Sequence, residues 1–208
     1  MNEFSGTLVF WILVPVFAAV GLYLIWYTRR RKKMLENFAS THRLRVVPEH
    51  RQKLQATLDR CFLLEEEGLV RSFGQLSSPV DGGQVWLFRA VELLDLNPHA
   101  QAYSTHFSRI SAMFDVPSTF HYEFFVLDKS MQAHQRLPGA ESPNPDAVRI
   151  SKQIAQSCKA RHRLSVTLAR GQGLIYFEPL VTGGETVSDI ASLHCIAQGM
   201  RKQLAKGL

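Results

Sequence analysis

The feature that most constrains this chain is residues 7–27, TLVFWILVPVFAAVGLYLIWY, which contain no charged side chain. As an α-helix this stretch would reach about 31 Å, close to the ~30 Å hydrocarbon core of a bilayer. A helix satisfies its backbone hydrogen bonds internally, as lipid requires. Trp11 near one end and Tyr23, Trp26 and Tyr27 near the other are amphipathic rings suited to the headgroup interface. Pro15 removes one donor, which membrane helices tolerate. Ala18, Ala19 and Gly21 make a small-residue patch that another helix could approach, without forming a GxxxG motif.

The charges around this stretch give it a direction. A secretory signal carries positive charge before its apolar run and a small-residue cleavage site after it. Here the order is reversed: Glu3 precedes the run, and Arg29, Arg30, Arg31, Lys32 and Lys33 come after it. The expectation is an uncleaved single-pass anchor with the N-terminus outside and the remainder cytoplasmic, on the inner or plasma membrane if the source is bacterial. The five basic residues are expected to contact lipid headgroups, each contributing ~1 kcal/mol near an anionic surface.

Composition constrains the rest of the chain. The net charge is +6, of which residues 1–33 carry +4 and the rest only +2. Nucleic-acid binding needs a concentrated basic face, so this nearly balanced remainder argues against it. The length beyond the anchor suits one globular domain with its own core. Cys61, Cys158 and Cys195 are isolated and odd in number, which fits a reducing compartment and suggests no disulfide framework.

Patterning predicts an α+β domain. The expected division is an anchor at 1–28, a basic helical stalk at 29–42 and a cytoplasmic domain at 43–208. Met34, Leu35, Phe38 and Ala39 share one helical face of the stalk. A short strand is expected over 43–47, then a helix from Pro48, with Pro in its first turn and the i, i+4 pair Leu54 and Leu58. Glu65, Glu66 and Glu67 read as a solvated turn. Residues 69–76, 85–94 and 119–127 read as strands; 103–114 fits either period, and 79–83 reads as a turn. Both faces of 85–94 are apolar, which predicts an interior strand covered on both sides. The proline-rich 137–146 is a loop, 147–158 a short helix, and 164–177 a hairpin turning at Arg170–Gly173. Thr182 and Glu185 have capping-box spacing ahead of a C-terminal helix. Thr186, Ile190, Leu193, Ala197, Met200 and Leu204 form its apolar stripe. The fold class is thus a single N-terminal transmembrane helix followed by a mostly antiparallel sheet of about five to seven strands covered by a C-terminal helix.

No reaction is inscribed in the residues. G-x-S-x-G, H-E-x-x-H and Walker A patterns are absent, and the Gly171-Gln172-Gly173 turn lacks the helix and Lys-Ser/Thr of a phosphate loop. Cys158, His162, His194 and Cys195 are zinc-type ligands, yet adjacent His194 and Cys195 diverge by about 100° on a helix. The expectation is buried cysteines with exposed histidines, and no metal or other cofactor. His121 and Glu123 share a strand face and could form an acid/base pair, with His106 as a further polar candidate; a solvated pair is the simpler reading. No family is recognisable in these residues. The leading expectation is a membrane-anchored binding or assembly module whose partners are the lipid bilayer and another membrane protein or a second copy, and not nucleic acid. The alternative is an anchored, hydrolase-like enzyme.

Overall fold

In a computed structural model, the apolar stretch, the basic cluster and the residues after it form one helix, α1 (Glu3–Thr41), with Pro15 inside it. The structure describes residues 3–62, 70–74, 76–95, 104–120, 122–135, 142–178 and 186–206, and within these leaves out the side chains of 3–10, 12, 24, 70, 71, 92–95, 104–108 and 135. The expected turn at Glu65–Glu67 and the expected cap at Thr182 and Glu185 lie outside the described residues. Among the described residues no helix is long and apolar enough to cross a membrane.

The C-terminal end of α1 belongs to the domain. Leu35, Phe38 and Ala39 are buried in its core, with Met34 packed against it. The helix stops in a Schellman motif: Leu44 N–H donates to the Ala39 carbonyl (2.8 Å) and Arg43 N–H to the Ser40 carbonyl (3.3 Å). Arg43 takes the left-handed conformation (φ 56°) that this motif usually gives to glycine. The chain then turns straight into the sheet.

That sheet contains nine described strands: β1 (Arg45–Val46), β2 (Val70–Phe73), β3 (Val80–Asp81), β4 (Val85–Asp95), β5 (Ser104–Asp115), β6 (Tyr122–Leu127), β7 (Ala133–Gln135), β8 (Leu164–Ala169) and β9 (Gln172–Phe177). Their order is β1-β3-β4-β5-β9-β8-β6-β7, with β2 sharing the β3 edge of β4. Every pairing among them is antiparallel. The α+β, mostly antiparallel expectation is met, with more strands than expected. Among the additions, β3 is a two-residue segment that pairs with β1, the short strand expected within 43–47, so the expected turn at 79–83 begins as a strand. The ambiguous 103–114 segment is β5, because it pairs with β4 along the full length of that strand.

Helices cover both faces. A 3-10 turn (Pro48–His50) leads into α2 (Arg51–Phe62), whose last residues are Cys61 and Phe62. α2 packs Leu54, Leu58, Cys61 and Phe62 on Phe88, Ala90, Met113, Leu174 and Tyr176. The opposite face carries Val85, Leu87, Ile110, Ala112, Val166 and Ile175 beneath α3 (Pro145–Ser157), α4 (Val187–Leu204) and the end of α1. β4 is therefore buried on both sides, as its two apolar faces predict.

Caps account for where α3 and α4 begin. Asn144 Oδ1 accepts from Asp146 N–H and Ala147 N–H, with Pro145 in the first turn. The α4 capping box uses Thr186 and Asp189, one turn beyond the expected pair. Thr186 is thus an exposed cap and not part of the stripe, whereas Ile190, Leu193, Ala197, Met200 and Leu204 are buried as expected. α3 ends as α1 does, with Lys159 at φ 56° and Ala160 N–H donating to the Ala155 carbonyl (2.9 Å). Between β8 and β9, Arg170 (φ 50°) and Gly171 (φ 85°) make the two-residue turn that antiparallel twist favours.

The cysteines depart from expectation. Cys158, after the last turn of α3, and Cys195, in α4, are joined by a disulfide with Cα atoms 5.9 Å apart. Cys195 is exposed and Cys158 half-buried, so neither is the buried structural thiol expected; Cys61 is the buried free one. The expectation that the isolated cysteines form no disulfide is therefore overturned for Cys158 and Cys195.

Candidate functional site

The basic cluster and the aromatic belt, separate features in the sequence, meet on α1. Helical spacing of four brings the Arg30 guanidinium to 5.3 Å from the Trp26 ring and that of Arg31 to 4.3 Å from the Tyr27 ring. Tyr23 packs on both Trp26 (6.0 Å) and Tyr27 (5.9 Å). Trp11, toward the other end, is 73% exposed. Arg29, Arg30, Lys32 and Lys33 are exposed, and Lys32 pairs loosely with Glu36 (3.8 Å). Arg31 differs from these four: it is only 6% exposed and engaged at the domain end of the collar. Four cations are thus open to solvent, and the fifth is held inward.

A second site lies on the sheet face that α2 covers incompletely. Trp86 on β4, Met113 and Asp115 on β5 and Gln172 on β9 stand side by side through the pairings Trp86–Met113 and Asp115–Gln172. His50, Lys53, Leu54 and Thr57 close the other wall, leaving a cleft of about 230 Å³. The His50 ring leans on the Trp86 indole at 5.3 Å, and its buried Nδ1 makes no hydrogen bond among the described residues. Gln172 Nε2 donates to Asp115 Oδ1 (2.9 Å), fixing that carboxylate at the rim. The cleft is smaller than the roughly 300–1,000 Å³ of small-molecule sites. It suits a single planar or amphipathic side chain better than a whole metabolite.

Among the described residues the other polar candidates lie apart from one another. His121 and the His106 side chain lie outside the described residues, and with them the expected acid/base pair. Glu123 accepts from the Asn144 backbone N–H (2.7 Å) and so helps hold the start of α3. His162 bonds Asp189 (3.1 Å) at the α4 cap, and His194 lies near Gln198 (3.3 Å) and Phe38. Burial, with the His42 charge adding to it, lowers the His194 pKa below its ordinary value. The Asp128 carboxyl is held well below the usual range, chiefly by the His134 hydrogen bond (2.8 Å), within the β6–β7 turn. Among the described residues no group of three His, Cys, Asp or Glu side chains could hold a metal ion.

The cleft escaped the sequence because its residues span positions 50 to 172 and only strand register brings them together. The collar was readable, since the i, i+4 spacing of Trp26–Arg30 and Tyr27–Arg31 is explicit. Compared with known proteins, the chain matches no family model, no curated protein and no solved structure.

Proposed function

We propose that this chain is a single-pass membrane protein whose cytoplasm-facing α+β domain is a binding or assembly module. Its contacts would be another membrane protein, a second copy of the chain, or the lipid surface. One observation carries the reading. Almost every exposed large apolar side chain among the described residues lies on α1, from Trp11 to Trp26, and the exceptions are Val46 and Val187. An apolar surface around a whole helix is costly in water and natural in lipid. It is followed directly by four exposed cations and then by the core-embedded turn of the same helix, so the tether would hold the domain against the bilayer. Confinement there raises effective concentration toward partners in the same membrane. The cleft supports binding over catalysis: its carboxylate is tied to Gln172 and its imidazole packs on Trp86.

Fractionation of the full chain tests the tether. Wild type should stay in the membrane pellet after alkaline carbonate washing, and Val14→Arg with Val20→Arg should release it. Retention of that variant would overturn the membrane reading. Cross-linking in mild detergent should capture a stoichiometric partner or a second copy, and a lone monomer throughout would overturn the assembly reading.

A further inference from the structure

The Cys158–Cys195 bond lies over an interface that other contacts already hold. Ser192 Oγ donates to the Cys158 carbonyl (2.9 Å). Deeper in, Gly199 lets α3 come so close that a Cβ there would fall 2.7 Å from Ile154 Cγ2. Ile150, Ile154, Ala155, Ile196, Ala197 and Met200 complete the packing. α3 is stopped by its own Schellman motif and α4 is started by its own capping box. Neither helix needs the sulfur bridge to be positioned.

The two cysteines reach the surface, Cys195 exposed and Cys158 half-buried. They line a shallow depression with Lys159, Arg161, Ser188 and Asp189. Asp189 is occupied by Thr186 and His162. Lys159 and Arg161 are exposed and bring two cations to the depression that Cys158 and Cys195 line. The end of α3 disfavours a thiolate on Cys158, and the two cations counter that. Accessible sulfur in a positively charged setting is the environment of exchange-competent cysteines, whereas structural bridges are shielded.

We propose that Cys158 and Cys195 are a redox-active pair, reversibly reduced by a dithiol of the protein-reductant class. A reductant thiolate attacks the Sγ of Cys195, the more exposed residue of the two. The Cys158–Cys195 bond breaks as the reductant–Cys195 bond forms, and Cys158 leaves as thiolate. The second reductant thiol, deprotonated, attacks the reductant sulfur of this mixed disulfide and releases the Cys195 thiolate. Both thiolates take up a proton. The chain gains two electrons and two protons, and the dithiol becomes a disulfide.

The test uses the full chain in detergent, with dithiothreitol and a thioredoxin-type dithiol protein as probes and maleimide mass-tagging as the readout. Before reduction the native chain should take no tag. After reduction it should take tags at Cys158 and Cys195 and none at buried Cys61, with its cooperative thermal transition retained. Oxidised glutathione should then restore the untagged state. Lys159→Gln with Arg161→Gln should slow reduction by about threefold or more while leaving the thermal midpoint in place. The Cys158→Ser variant should fold. The proposal fails if the bridge resists both dithiols until the chain is unfolded, if reduction itself abolishes the thermal transition, or if the charge-neutral variant is reduced at the wild-type rate.

Discussion

The Phe38 ring meets the His194 imidazole edge-on, with centroids 5.9 Å apart and planes at 78°. This contact fastens the last turns of α1 to the middle of α4, and Phe38 is 1% exposed. Phe38→Ala should cost about 3 kcal/mol, the transfer energy of the ring plus the cavity it leaves. Chemical denaturation measures the loss. Hydrogen exchange should rise first over residues 34–41, where α1 enters the core.

Stability should fall at mildly acid pH through His194. Its folded-state pKa is lowered by burial and by His42. As pH drops below about 6.5, the unfolded chain takes up this proton before the folded one does. Stability is therefore full above that value, declines beneath it, and stops declining from this group once the folded state is protonated too. His194→Gln should flatten this part of the profile. Denaturation midpoints at pH 7.5 and 5.5 make the comparison.

Arg43 and Lys159 occupy the left-handed positions that end α1 and α3. L-residues are strained there and glycine is not. Arg43→Gly and Lys159→Gly should each raise stability by about 0.5–1 kcal/mol, measurable as a higher denaturation midpoint with unchanged slope. A loss in either variant would mean that the displaced side chain contributes more than its backbone strain costs.

Gly199→Val should destabilise the domain by about 1–3 kcal/mol, because its new methyls would press into Ile154. Combining it with Ile154→Ala should cost less than the two changes summed, the signature of a shared space. Strict additivity in the double-mutant cycle would disprove the close approach.

Arg109 is 2% exposed, and its guanidinium carbon stands 3.6 Å from the Tyr176 ring centroid. A desolvated stack of this kind contributes ~2 kcal/mol. Arg109→Ala should lose at least that much, and Arg109→Lys should recover only part of it, since an ammonium lacks the planar face. Equal stability of wild type and Arg109→Lys would remove the stacking argument.

Different parts of the fold are legible in the residues for different reasons. The buried stripe of α4 and the doubly apolar β4 are readable because period and hydrophobicity agree there. β5 is not, since Phe107, Ile110 and Phe114 fit a helix as well as a strand; long-range pairing with β4 decides it. The ends of α1 and α3 give no signal because Arg43 and Lys159 stand where glycine would mark a stop. The α4 cap is ambiguous by one turn because Thr182 and Glu185 share the spacing of Thr186 and Asp189. Spacing is silent about Cys158 and Cys195, 37 positions apart, and about the cleft that joins His50 to Gln172. Both exist only once the sheet has set its register.

The unbroken course of α1 has a mechanical consequence. A helix of 39 residues, about 58 Å long, has one end seated among Leu35, Phe38 and Ala39, and Pro15, its one proline, lies far from that seat. Between Pro15 and the seat the hydrogen-bond ladder loses no donor to proline, so tilt or rotation imposed on that length is carried to the domain. It must turn α4, and with α4 the sheet, so the bearing of the whole domain is set by how the outer half of the rod is held.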